Sequence, residues 1–179
     1  MASVRIHDDP WSLRGHRGHA IPNILVSGEA PSDALALLIP GIVYSCDAPL
    51  LYYTGRLFQE PGYDVLVLTL PYGRDLDYRT AARDVQAQWR DADADALIEA
   101  VLSRSDYSRL AVAAKSLGTT AMYRWWEAGR LPDSADLVWL TPMLAVEPLE
   151  RLSSDMSLHS LFLIGTADGL YDRVGYARL

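Results

Sequence analysis

Short apolar runs alternate along this chain with stretches in which apolar residues recur every three or four positions. The runs at 21–26 and 35–39 read as strands. Turn chemistry at Ser27-Gly28-Glu29-Ala30-Pro31-Ser32-Asp33 separates them, so they are expected to pair antiparallel. Residues 4–7 add a short edge strand. A helix is expected from Asp47, an N-cap type, through Leu50, Tyr53, Leu57 and Phe58 to the Pro61-Gly62 stop. Residues 63–70 (YDVLVLTL) are almost continuously apolar, as in a strand covered on both faces.

From 79 to 104 the spacing predicts one long helix. Val85, Trp89, Ala92, Leu97 and Val101 form its inner stripe, and Arg83, Asp84, Arg90, Asp91, Asp95 and Glu99 its wet face. A strand at 109–114, a helix at 117–128 ended by Gly129, and strands at 136–140 and 161–165 follow. A short helix fits near 148–152. Strands alternating with helices give a mostly parallel sheet with helices on both faces. The alternation alone suits a flavodoxin-like domain equally well.

Composition removes several functions. The chain has 179 residues, 16 of them basic and 23 acidic, for a net charge of −7. That field repels phosphate backbones and anionic lipid, so neither nucleic acid nor a membrane is an expected partner. Cys46 is the sole cysteine, which excludes an internal disulfide and a Cys-based zinc site. The first ten residues lack the apolar core of a signal peptide, and the longest apolar run, 34–44, is short and broken by Pro40-Gly41. A cytoplasmic setting is therefore expected. No G-x-G-x-x-G or P-loop is present, and no cofactor is implied. Asp91-Ala92-Asp93-Ala94-Asp95 has Ala96 and Leu102 where a calcium loop needs glycine and glutamate, so it reads as a solvated helix face. His16 and His19 have no carboxylate partner in sequence and read as a solvated loop, not a metal pair.

Chemistry enters at residues 109–118. The strand at 109–114 runs directly into Lys115-Ser116-Leu117-Gly118 and then into a helix. A serine on such a tight strand-to-helix turn is lifted above the sheet at positive φ. Small residues two before and two after, here Ala114 and Gly118, prevent collisions. The structureless alternative is a plain N-cap serine. Upstream, the buried strand ending in Pro40-Gly41-Ile42 would supply one backbone N–H of an oxyanion hole. Ile42 (or Gly41) is the donor there, and Leu117, the residue after the serine, is the other. Downstream, Gly165-Thr166-Ala167-Asp168 puts a carboxylate on the same sheet edge, where an acid could orient a histidine. Asp172 is the rival acid.

The Pro-Gly loop with Tyr44-Ser45-Cys46-Asp47, the Lys115–Thr119 elbow and the Gly165–Asp168 acid together resemble a small, lidless α/β-hydrolase, from about residue 21 onward. The resemblance implies a serine hydrolase of ester or related acyl bonds in small molecules, with chain order Ser, Asp, His. It also implies a last strand carrying the histidine, yet no histidine lies between Asp168 and Leu179. His7, His16, His19 and His159 are the four present. His159 precedes the strand that Asp168 follows, and at about 3.3 Å per residue that strand keeps them roughly 20 Å apart. The sequence is therefore read as one domain over 1–179 that is C-terminally incomplete or catalytically impaired. The alternatives are a non-catalytic binding or scaffold protein of the same fold, or a histidine swapped in from another chain. Self-association through an exposed last strand is the expected consequence.

Overall fold

The computed structural model describes residues 4–155, 157–169 and 171. Its seven strands are β1 (Arg5–Asp8), β2 (Asn23–Ser27), β3 (Ala34–Ile39), β4 (Asp64–Leu68), β5 (Arg109–Lys115), β6 (Asp136–Leu140) and β7 (His159–Leu163). They form one sheet in the order β1-β2-β4-β3-β5-β6-β7. From β4 to β7 all neighbours are parallel, while β1 and β2 join antiparallel at one side. The two N-terminal runs do not pair with each other as the turn between them suggested. β4 lies between them, antiparallel to β2 and parallel to β3.

Two faces of unequal size cover this sheet. On one, Leu35, Leu37, Val112 and Trp139 meet α3 (Arg83–Leu102) and α4 (Thr119–Glu127) in the main core. Trp125 is fully buried there and donates its indole N–H to the Ala94 carbonyl, 2.9 Å away. On the other, Ala36, Leu38, Ala111 and Ala113 pack against Leu51 of α1 (Pro49–Gln59). Gly55 allows that approach, since a Cβ there would lie 2.8 Å from a Leu38 methyl.

Local chemistry shifts several expected boundaries. α1 starts at Pro49 with Ala48 as its cap, so Asp47 does not cap it. The long helix is two. α2 (Leu76–Thr80) is capped by Asp75, which accepts the Tyr78 N–H at 2.9 Å, and Ala81 and Ala82 then turn extended before α3. Gln86 bridges the break by donating to the carbonyls of Tyr78 and Ala81. α5 (Val146–Ser154) extends further than the periodicity indicated.

The sharpest correction concerns Asp93. The expected wet face of α3 contains it, but the residue is 3 % exposed. The segment at 14–20, expected to be a solvated loop, folds over α3 and brings His16 and His19 onto Trp89.

Candidate active site

Parallel strands end on one edge of the sheet, and the loops leaving them meet there: 40–44, 71–73, 116–118, 141–143 and 165–168. Crevices outside such strand ends are where open α/β sheets bind ligands. Ser116 stands at the end of β5 with φ +50°, a left-handed conformation that costs energy for any residue with a Cβ. It is half-buried and opens a 3-10 turn, Ser116–Gly118, that leads into α4.

Two glycines make the turn fit. A Cβ on Gly118 would lie 2.6 Å from the Pro40 carbonyl and 2.8 Å from that of Ile39. A Cβ on Gly41 would touch Ser116 Cβ at 3.3 Å, so the Pro40-Gly41 loop lies directly beside the serine. Gly41 donates its own N–H to the Tyr44 carbonyl at 3.0 Å, so that amide is engaged within the loop. Leu117 is buried and sits in the first turn, where helical N–H groups have no partner within their helix.

The elbow is also tied to its other neighbour. Thr119, fully buried, donates from Oγ1 to the Ser116 carbonyl (2.5 Å) and accepts the Met143 N–H (3.0 Å). Since Lys115 pairs with Leu140, Ser116 and Thr141 are the next residues off two adjacent strands. Thr141 is buried and also left-handed, φ +48°. Its N–H donates to the Leu163 carbonyl at 2.6 Å. A threonine is not a residue type that marks positive φ in a sequence, so this second strained position had no signal there.

Asp168 follows β7 on the same edge, half-buried, with its N–H on the Gly165 carbonyl at 2.9 Å. Its carboxylate acts on the Lys115 ammonium. Burial lowers the Lys115 pKa, and Asp168 opposes that shift. The ammonium also lies 5.2 Å from the centre of the Tyr44 ring. The elbow residue, the glycine loop and the acid-bearing turn thus share one edge, whereas Asp172 lies outside the described residues.

The histidines are elsewhere. His159 opens β7 at the opposite edge and pairs with Asp136 at 3.4 Å. His7 is near Ser27 on β2. His16 and His19 pack on Trp89 of α3, with His19 Nε2 3.5 Å from Asp93. Cys46 is buried beneath the loop, where desolvation pushes its thiol up to about 12. Among the described residues no group of three or more His, Cys, Asp or Glu is placed to hold a metal ion, and no helix is long and apolar enough to cross a membrane.

No protein-family model and no curated protein matches the chain. Solved structures do. An esterase of Pyrococcus furiosus superposes with a TM-score of 0.66 at 13% identity, covering 98% of this chain and 75% of that one. An Agrobacterium tumefaciens protein of unknown function, provisionally described as an α/β hydrolase, gives 0.64 at 16% identity, with 98% and 76% covered. A Klebsiella pneumoniae protein provisionally described as a dienelactone hydrolase gives 0.62 at 14%, with 98% and 78% covered. Sheet order, antiparallel entry and these superpositions agree: the chain has the α/β-hydrolase fold.

Proposed function

We propose that this chain is a serine hydrolase acting on an ester or related acyl bond, with Ser116 as nucleophile. The observation that carries the reading is the backbone of Ser116, left-handed at φ +50° between Gly41 and Gly118. In this reading Ser116 Oγ attacks the carbonyl carbon as its proton passes to a base, solvent water where no imidazole is at hand, and the carbonyl π electrons move to oxygen. The N–H groups of Ile42 and Leu117 stabilise the resulting oxyanion. Collapse of that species breaks the bond to the leaving alcohol, which takes up a proton, and water then releases the acid from Ser116. Asp168 is the acid of this reading, on the edge where it would orient an imidazole that none of the four histidines supplies, and Gly41 and Gly118 keep the hole open. The esterase among the solved relatives supports the acyl-bond class.

Each of the four histidines has its partner away from Ser116, so the described residues supply no imidazole base. Without a base, catalysis falls to what an oxyanion hole and binding provide, about 10³–10⁴ over water. The 179-residue chain is therefore expected to turn over p-nitrophenyl acetate near background. The same observation favours a second reading, a binding protein of this fold that does no chemistry.

A fluorophosphonate probe separates the two. Peptide mapping is expected to find the adduct on Ser116 in preference to every other serine, and Ser116→Ala to lose it. Adducts spread over several serines, or none, would leave the binding reading standing.

A further inference from the structure

A buried polar cluster behind the strand-end loops surrounds Asp93. Its carboxylate, although buried, accepts a 2.7 Å hydrogen bond from Tyr72 Oη and another of 2.7 Å from the His16 N–H. His19 Nε2 faces the same carboxylate at 3.5 Å, and His19 Nδ1 contacts the His16 carbonyl at 2.6 Å. Gly15 lets the strap come this close, because a Cβ there would overlap Asp93 Oδ1. A buried carboxylate left without donors is costly, so this arrangement fixes the Tyr72 ring as firmly as it fixes the strap.

Tyr72 leads from this cluster to the strand-end edge. Its ring stacks on Tyr78 at 4.6 Å, and the two share a small buried cluster with Leu117. The next residue, Gly73, lies so close to the oxyanion loop that a Cβ would overlap the Ile42 carbonyl oxygen. The turn at 71–73 thus lies against Ile42 and shares a buried cluster with Leu117, the two candidate donor residues, and Asp93 anchors it from behind. The space between Tyr72, Asp93 and Leu117 is only about 20 Å³, enough for one water, so the cluster is a support and not a ligand site.

We propose that Tyr72 and Asp93 are positioning residues for the Ile42 and Leu117 amides, and that the strap at 15–19 completes this support. The proposal rests on the oxyanion-hole reading above for its chemical meaning, but the positioning can be measured without it.

The test compares the full chain with Tyr72→Phe, which keeps the ring and removes only the hydroxyl. One readout is the ¹⁵N order parameter of each amide. The other is the rate of fluorophosphonate addition to Ser116, split into binding and bond formation. In Tyr72→Phe the order parameters of Ile42 and Leu117 are expected to fall from about 0.85 towards 0.6. The bond-forming rate is expected to fall roughly tenfold or more, with probe binding unchanged. Gly15→Ala should act in the same direction from the strap. Tyr123→Phe, a remote tyrosine bonded to Glu127, should change neither readout. If wild type takes no label but the two amides still loosen in Tyr72→Phe, the positioning stands and the nucleophile reading fails. Unchanged order parameters at Ile42 and Leu117, or an equal loss across the whole sheet, would overturn the proposal.

Discussion

Gly118 and Cys46 show how much one residue's surroundings decide here. A methyl group on Gly118 would meet the carbonyl oxygens of Ile39, the last residue of β3, and of Pro40 just after it. Gly118→Ala is therefore expected to destabilise the fold by about 1–3 kcal/mol, lowering Tm by several degrees in a thermal melt. It should also displace Ser116 from the Pro40-Gly41 loop. Cys46 hydrogen-bonds the Leu38 and Leu68 carbonyls and is desolvated, so its pKa rises from 9.0 to about 12. Between those values the unfolded chain releases the proton and the folded chain keeps it, so rising pH erodes stability across that window. Iodoacetamide at pH 9 is expected to leave the native thiol unmodified and to alkylate it in denaturant; rapid native alkylation would contradict the buried placement.

Helix pairs carry the next level of organisation. Arg124 of α4 clamps α3 through Asp95, with hydrogen bonds of 2.9 and 2.8 Å, and also reaches Asp91. Hydrogen bonds from Arg124 hold the Asp95 carboxyl below the usual aspartate range. A depressed carboxyl stabilises the fold above its unfolded pKa and loses that contribution as pH falls through the folded one. Arg124→Met is thus expected to destabilise modestly at pH 7, by less than about 1 kcal/mol for so exposed a pair, and by less still near pH 2. Chemical denaturation at the two pH values measures both. This level is also where sequence patterns gave most and failed most clearly. β6 (Asp136–Leu140) was legible to the residue because Pro132-Asp133-Ser134 and Thr141-Pro142 flank it, and the left-handed turn at Ser116 was legible because the serine stands between Ala114 and Gly118 where a strand runs directly into a helix. The break at Ala81-Ala82 was hidden, since alanine favours helix, and the carbonyls it frees are met by the side chain of Gln86 in the next helix, which no periodicity marks. Asp93 was misread because three aspartates at alternate positions look like a wet face. Its partners are a tyrosine 21 residues away and a backbone amide 77 away, which no local pattern reveals.

Across the whole molecule the sheet is covered unevenly. On β7, Phe162 stacks on Trp139 at 5.5 Å on the face that carries α3 and α4. Leu161 and Leu163 point to the other face, 54% and 46% exposed, beyond the reach of α1. Apolar strand faces at a sheet border favour pairing with another chain. Sedimentation velocity of the 179-residue chain is expected to show concentration-dependent self-association, weakened by Leu161→Lys. A monomer at all concentrations would remove β7 as the contact.

The contact between the strap and Asp93 has a consequence for the order of events during synthesis. The strap is synthesised before α3 and has nothing to dock on until α3 has emerged, and closing a span of that length carries an entropic cost. Pairing of β3 with β4 joins segments much nearer in the chain. The protein should therefore pass through a stage in which the central sheet has begun to form while Asp93 still lacks its hydrogen bond from the His16 amide, and deleting residues 15–19 would hold it there.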